Sequence, residues 1–222
     1  MTENRPSERS KPIDAFLEQM SKQQMSARGR LAFIIDATAS REPTWDMATQ
    51  LQMEMFEEAT KFSSLEVQLI FFRGLFECQY SGWITEGRTL ARLMAEVRCE
   101  GGFTKIGRAL AHVRREHERQ KIDAAVFVGD AMEESHDELC GAAGTLSLPL
   151  FMFQEGDAPK ASRTFAEMAR LSHGAHCRFD AGAARRLGDY LRAVGTFAAG
   201  GVRALEKQDT DAARKLLGQL RR

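Results

Sequence analysis

A chain of 222 residues that is 43% hydrophobic suits one ordinary domain with short extensions, or at most two small ones. Its 31 basic residues balance 31 acidic ones, which argues against a general nucleic-acid or membrane-surface footprint. No apolar run approaches the roughly 20 residues of a membrane span, and the polar residues 1–11 lack the apolar stretch of a secretory signal. The cysteines Cys78, Cys99, Cys140 and Cys177 show no close pairing and are expected to be free thiols in a reducing cytoplasm.

Residues 1–11 read as a polar tail, and residues 12–25 as a short helix with Ile13, Phe16, Leu17 and Met20 on one face. The next stretch, Arg30-Leu-Ala-Phe-Ile-Ile-Asp36-Ala-Thr38-Ala-Ser40, starts as a short apolar run rich in β-branched and aromatic residues. That is a buried strand. It ends in an acid and two hydroxyls spaced two apart. Residues two apart in extended backbone point the same way. Three hard oxygen donors at a strand end suit a hard divalent cation. Equally, Asp36 can cap the following helix while Thr38 and Ser40 satisfy loop backbone groups.

Pro43 suits a first helical turn, and Met47, Leu51, Met55 and Ala59 recur every four residues in a long amphipathic helix ending near residue 62. Residues 65–72 read as a strand, and Gly74 turns the chain into an antiparallel edge strand over 75–80. Helices follow from 85 or 86 to about 97, and from 103 to about 118. Residues 123–129 form the second strongly buried strand, with Asp130 at its end. A helix over 135–143, a strand over 148–153, a helix over 159–171, a short strand over 176–179 and a helix over 183–199 complete the alternation. Gly200-Gly201 reads as a hinge, and residues 202–220 as a helix pair or one broken amphipathic helix.

Strands alternating with helices imply a Rossmann-like α/β fold: a doubly wound, mostly parallel sheet with one antiparallel edge strand and helices on both faces. Ligands in such sheets bind beyond the carboxyl ends of the strands, where strand order reverses. Asp36 and Asp130 both stand at that end. The expected division is a tail and short helix over 1–28, the domain over 29–199, and a helical extension over 200–222.

Asp36-Ala-Thr38-Ala-Ser40 after a hydrophobic strand, a threonine after glycines in Gly101-Gly102-Phe103-Thr104, and the aspartate of Val128-Gly129-Asp130-Ala131 together resemble a von Willebrand factor type A (VWA) domain of the bacterial intracellular type. Such domains carry a metal-ion-dependent adhesion site. The first motif is usually Asp-x-Ser-x-Ser; threonine at 38 keeps the hydroxyl. Many members have Thr-Asp-Gly where this chain has Gly129-Asp130-Ala131. The resemblance implies a metal site of Asp36, Thr38, Ser40, Thr104 and Asp130 holding Mg²⁺, with Mn²⁺ or Ca²⁺ as substitutes. It implies a binding module, not an enzyme, in which the metal captures an acidic residue of a partner protein. Cytoplasmic members commonly work in complexes, often beside AAA+ ATPases.

Other constellations have plainer readings. Arg41 is taken as solvated or paired with Glu42, with a clamp on an incoming carboxylate as the sharper alternative. Glu133 and Glu134 are taken as a charged first helical turn favoured by the macrodipole. His173, His176 and Cys177 match no zinc spacing and read as a turn entering a strand. The methionines read as packing residues. An Mg²⁺-dependent aspartyl phosphatase or phosphotransferase using Asp36 is the main enzyme rival. It needs a second acid where Thr38 stands, and its only lysine candidate for holding phosphate is Lys105. A third reading is a scaffold with a vestigial metal site that binds through its terminal helices.

Overall fold

The structure, a computed structural model, describes residues 28–41, 65–180 and 184–221. The helices expected over 12–25 and from Pro43 to residue 62, with Asp46 and Met47, Met53 and Met55, lie outside the described residues. In chain order the elements are β1 (Gly29–Asp36), a 3-10 turn (Ala39–Arg41), β2 (Leu65–Arg73), β3 (Glu77–Ile84), α1 (Gly87–Glu96), α2 (Ile106–Arg119) and β4 (Ala124–Gly129). Then come α3 (His136–Gly144), β5 (Leu150–Glu155), α4 (Pro159–Leu171), β6 (Ala175–Phe179), α5 (Ala184–Leu205) and α6 (Asp211–Leu220).

The six strands form one sheet in the order β3-β2-β1-β4-β5-β6. All neighbours are parallel except β2 and β3, which form the expected hairpin at the edge. The doubly wound sheet with one antiparallel edge strand is therefore present. Strand alternation divides the core. Leu31, Phe33 and Ile35 of β1 pack in one apolar layer with α1, α5 and α6, and Ala32 and Ile34 pack in the other with α2, α3 and α4. Both faces of β1 are dry, which is why it reads as continuous apolar sequence. Each large side chain so buried contributes about 1.5–3 kcal/mol.

Strand ends differ from the sequence reading where polar residues continue a strand. β3 runs to Ile84, past a register irregularity opposite Gln68 and Ile70. β5 starts two residues later than expected and extends through Gln154 and Glu155, both buried. Pro149 has no N–H for the ladder, although its carbonyl accepts from Ala125 N–H at 2.9 Å.

The segment after the Gly200-Gly201 break packs against the rest of the domain. The chain breaks at Gly201, where φ is 66°, but Leu205, Ala212, Ala213 and Leu216 beyond it are buried in the same apolar layer as β1. Helix α6 also covers the far sheet edge. Gln219 accepts from His176 N–H at 2.9 Å and donates to His176 carbonyl at 3.0 Å. One side-chain amide thus replaces a missing neighbour strand.

Candidate functional site

Strand order reverses between β1 and β4: β2 and β3 lie to one side, β5 and β6 to the other. Asp36 is the last residue of β1, and Asp130 follows the last residue of β4. The crevice expected at such a switch point is therefore flanked by these two acids.

Asp36 is fully buried. Its Oδ1 accepts from Thr38 N–H at 2.8 Å, a two-residue turn that fixes the carboxylate. Its Oδ2 is buried and has no hydrogen-bond partner among the described residues, and the same is true of Asp130 Oδ1. Burial pushes the Asp36 carboxyl up to about 6; Thr38 hydrogen bonding opposes the rise, the nearby Asp130 charge adds to it, and Arg41 offsets it slightly. Gly129 makes room for this pair. A Cβ there would lie 2.5 Å from the Phe127 ring and 3.1 Å from Asp36 Cβ, so a larger residue before Asp130 does not fit.

Thr38 and Ser40 converge, with hydroxyl oxygens 3.2 Å apart; Thr38 is buried and Ser40 exposed. Thr38 also forms an isolated parallel bridge with Glu100, whose N–H donates to Ala37 carbonyl at 3.0 Å. That bridge docks the loop over 97–105, carrying Thr104, beside the end of β1. Thr104 is buried and engaged by Glu133: its N–H and its hydroxyl each donate to Glu133 Oε2 at 2.8 Å, and Glu133 N–H donates back to Thr104 Oγ1 at 3.2 Å. The loop after Asp130 is thereby clamped to the loop before α2. Gly102 permits a further contact, since a Cβ there would collide with the Gly74 carbonyl of the β2–β3 hairpin.

Two plain readings are corrected here. Arg41 is neither solvated nor a clamp on incoming ligand. It is fully buried, 3.2 Å from Glu155 Oε2, and ties the turn after β1 to the end of β5. Glu133 and Glu134 are not in a first helical turn, because α3 begins at His136. Glu134 instead accepts from Ile106 N–H at 2.8 Å and Gly107 N–H at 2.9 Å, capping α2 from another loop. Glu155 was missed altogether. An acid ending a buried strand reads as an exit loop, and only the carboxyl-end rule could have marked it. His176 and Cys177 point to opposite sheet faces: His176 Nε2 lies 3.0 Å from Gln154 Oε1, and Cys177 belongs to the α5–α6 side of the core. All four cysteines are free.

Among the described residues no three His, Cys, Asp or Glu side chains cluster as metal ligands. The expected ligand set contains only two acids, so it depends on hydroxyls for the rest. The two orphaned carboxylate oxygens fit a cation; their burial without a partner is otherwise unfavourable. Among those residues, too, no helix is long and apolar enough to cross a membrane.

No family model and no curated protein matches the chain. Solved structures do match it. The SpRpn10 VWA domain superposes with a TM-score of 0.57 at 11% identity, over 71% of this chain and 94% of that one. An aerotolerance-related membrane protein from Bacteroides fragilis gives 0.54 at 13% identity, over 71% and 95%. The manganese-loaded TRAP protein of Plasmodium vivax gives 0.51 at 16%, over 71% and 70%. With its six-stranded sheet, antiparallel edge strand and flanking helices, the chain has the von Willebrand factor type A fold.

Proposed function

We propose that this domain is a divalent-metal-dependent protein-binding module, in which Asp36, Thr38, Ser40, Thr104 and Asp130 hold Mg²⁺ and an acidic residue of a partner protein completes the site. The observation that carries this reading is the pair of buried oxygens, Asp36 Oδ2 and Asp130 Oδ1, left without hydrogen-bond partners on adjacent strand ends. The manganese-loaded state of the TRAP protein, which shares the fold, supports a divalent ion, and Mn²⁺ or Ca²⁺ suits the same oxygen donors. When bound, the ion supplies an electrophilic position, because two carboxylates only balance its charge.

The chain's own residues prepare that position. Thr38 N–H holds Asp36 Oδ1, which fixes where Oδ2 points. The Thr38 and Ser40 hydroxyls stand together beside it. Glu133 Oε2 accepts the Thr104 hydroxyl hydrogen bond and Glu133 N–H occupies one lone pair of Thr104 Oγ1, which leaves the other lone pair to face a cation. Arg41, paired with Glu155, holds the turn between them.

The domain works by binding and not by turnover. Thr38 occupies the place where aspartyl phosphoryl transfer needs a second acid. Lys105 Nζ is committed to two backbone carbonyls, Gly74 at 2.7 Å and Phe103 at 3.0 Å, and is not a free phosphate clamp. The setting that fits four free thiols is a cytoplasmic complex, with an AAA+ ATPase as one candidate partner. The test is affinity capture on the immobilised chain in Mg²⁺ and again in EDTA. The reading expects partners retained in Mg²⁺, released by EDTA and absent from an Asp36→Ala column. Identical capture on all three would overturn it.

A further inference from the structure

Three of the apolar side chains left in water stand beside the candidate site. Among the described residues the exposed large hydrophobic side chains are Leu75, Phe76, Tyr80, Phe103 and Val202. Leu75 and Phe76 sit at the tip of the β2–β3 hairpin, and Phe103 in the loop before α2. Phe76 is 82% exposed and Phe103 59%, far more than packing alone leaves for such rings. The two loops form one surface. Lys105 Nζ donates to Gly74 carbonyl at 2.7 Å, Arg108 donates to Phe76 carbonyl at 3.0 Å, and Gly74 N–H donates to Glu100 carbonyl at 3.4 Å. The same loop carries Thr104 next to Phe103, and Glu100 bonds Ala37 next to Asp36. The patch is therefore continuous with the loops of the candidate metal site.

The charges on the patch give its preference. Arg73 is balanced by Glu77 at 2.7 Å and Glu100 at 3.8 Å. Lys105 and Arg108 hydrogen-bond only to main-chain carbonyls, and neither has an acidic partner among the described residues. Two uncompensated cations thus border three exposed apolar side chains. A complementary ligand is acidic and apolar at once. A broad anionic lipid surface would meet the exposed Glu100 and Glu133 carboxylates as well as the two cations, whereas a short segment can set its acids against Lys105 and Arg108 alone.

We propose that Leu75, Phe76 and Phe103, with Lys105 and Arg108, form the docking surface for an acidic segment of another protein, in which a bulky apolar residue adjoins the carboxylate taken by the metal. The carboxylate half of this statement rests on the metal-binding reading above; the apolar half does not. Aromatic side chains surrounded by polar groups are the usual anchors of such interfaces.

The test uses two fluorescein-labelled peptides on the full chain: one with Asp-Leu-Phe-Glu at its centre, and one with Asp-Ser-Ser-Glu. Anisotropy titrations in Mg²⁺ are expected to give the apolar peptide about tenfold tighter binding. A Phe76→Ser, Phe103→Ser double variant abolishes that preference while its Mn²⁺ titration stays that of the parent. Lys105→Glu with Arg108→Glu weakens both peptides. Asp36→Ala lowers affinity for both but keeps the ratio between them, so loss of metal binding and loss of the apolar patch are separately visible. Equal binding of the two peptides, no binding of either, or an unchanged ratio in the double variant would each overturn the proposal. So would binding to phosphatidylglycerol vesicles without binding to peptide, which would assign the patch to lipid.

Discussion

Asp36 is an acid held in a buried position. Its carboxyl is raised from an ordinary 3.8 to about 6, first because it is buried, so ionising it opposes folding in the absence of a cation. Its contribution to stability is fully present below about 3.8 and is lost as pH rises through about 6. At pH 7 the metal-free protein bears a cost of about 3 kcal/mol, at 1.36 kcal/mol per pH unit. Asp36→Asn keeps an oxygen for Thr38 N–H and removes the charge. Urea unfolding in EDTA at pH 7 is therefore expected to show the variant more stable than the parent, by up to that amount. His176 has the opposite dependence. Burial, with Arg178 and Lys215 adding to it, lowers its imidazole to about 4. A depressed histidine stabilises the fold above about 6.5, and that stability is lost as pH falls from there through about 4. Between pH 7 and pH 5 Asp36 works in the opposite direction in parent and variant alike, so the expected signature is the difference: the urea midpoint of the parent falls relative to that of His176→Gln, because the glutamine has no proton to take up.

At the scale of elements, the connections do more than join strands. The loop after β4 sends Glu133 to Thr104 and Glu134 to the first N–H groups of α2, so one loop caps a helix belonging to another. Glu134→Ala leaves the Ile106 and Gly107 N–H groups without those bonds. A capping loss of about 1 kcal/mol is expected in equilibrium unfolding, with faster amide exchange confined to the first turn of α2. The elements themselves were legible because their signals are local. The period of α4, its opening Pro159 and the apolar runs of β1 and β4 need no tertiary information. The cross-loop capping was not legible, since two consecutive glutamates before a helix look like a macrodipole feature whichever helix they serve. Arg41 was misread for a related reason. An arginine beside a glutamate in sequence suggests a surface pair, and only the β5 end 114 residues later supplies Glu155. The packing of α6 was not legible, because Gly200-Gly201 signals a break in helix geometry and says nothing of where the next turn packs.

For the whole molecule, the sheet order converts dispersed residues into a site. Asp36 and Asp130 are 94 positions apart in sequence and meet because β1 and β4 are neighbours at the strand-order reversal. The alternation of strands and helices was enough to place Asp36, Thr38, Ser40 and Asp130 at one sheet end. Thr104 came from a resemblance, and its clamp on Glu133 was visible only in three dimensions. The exposed aromatic patch likewise needed the hairpin and the loop before α2 to be brought together. Stability is shared across the chain: β1 is covered on one side by α5 and α6 and on the other by α2 to α4. A cation at the switch point would join β1 to β4, the two strands on which every layer rests. The central claim is that the orphaned Asp36 and Asp130 oxygens form a cation site. Calorimetric titration of Mg²⁺, and then Mn²⁺, into the full chain at pH 7.5 tests it most directly. The account predicts saturable binding of one ion per chain that disappears in both Asp36→Ala and Asp130→Ala; no saturable binding in the parent, or binding that survives both substitutions, would contradict it.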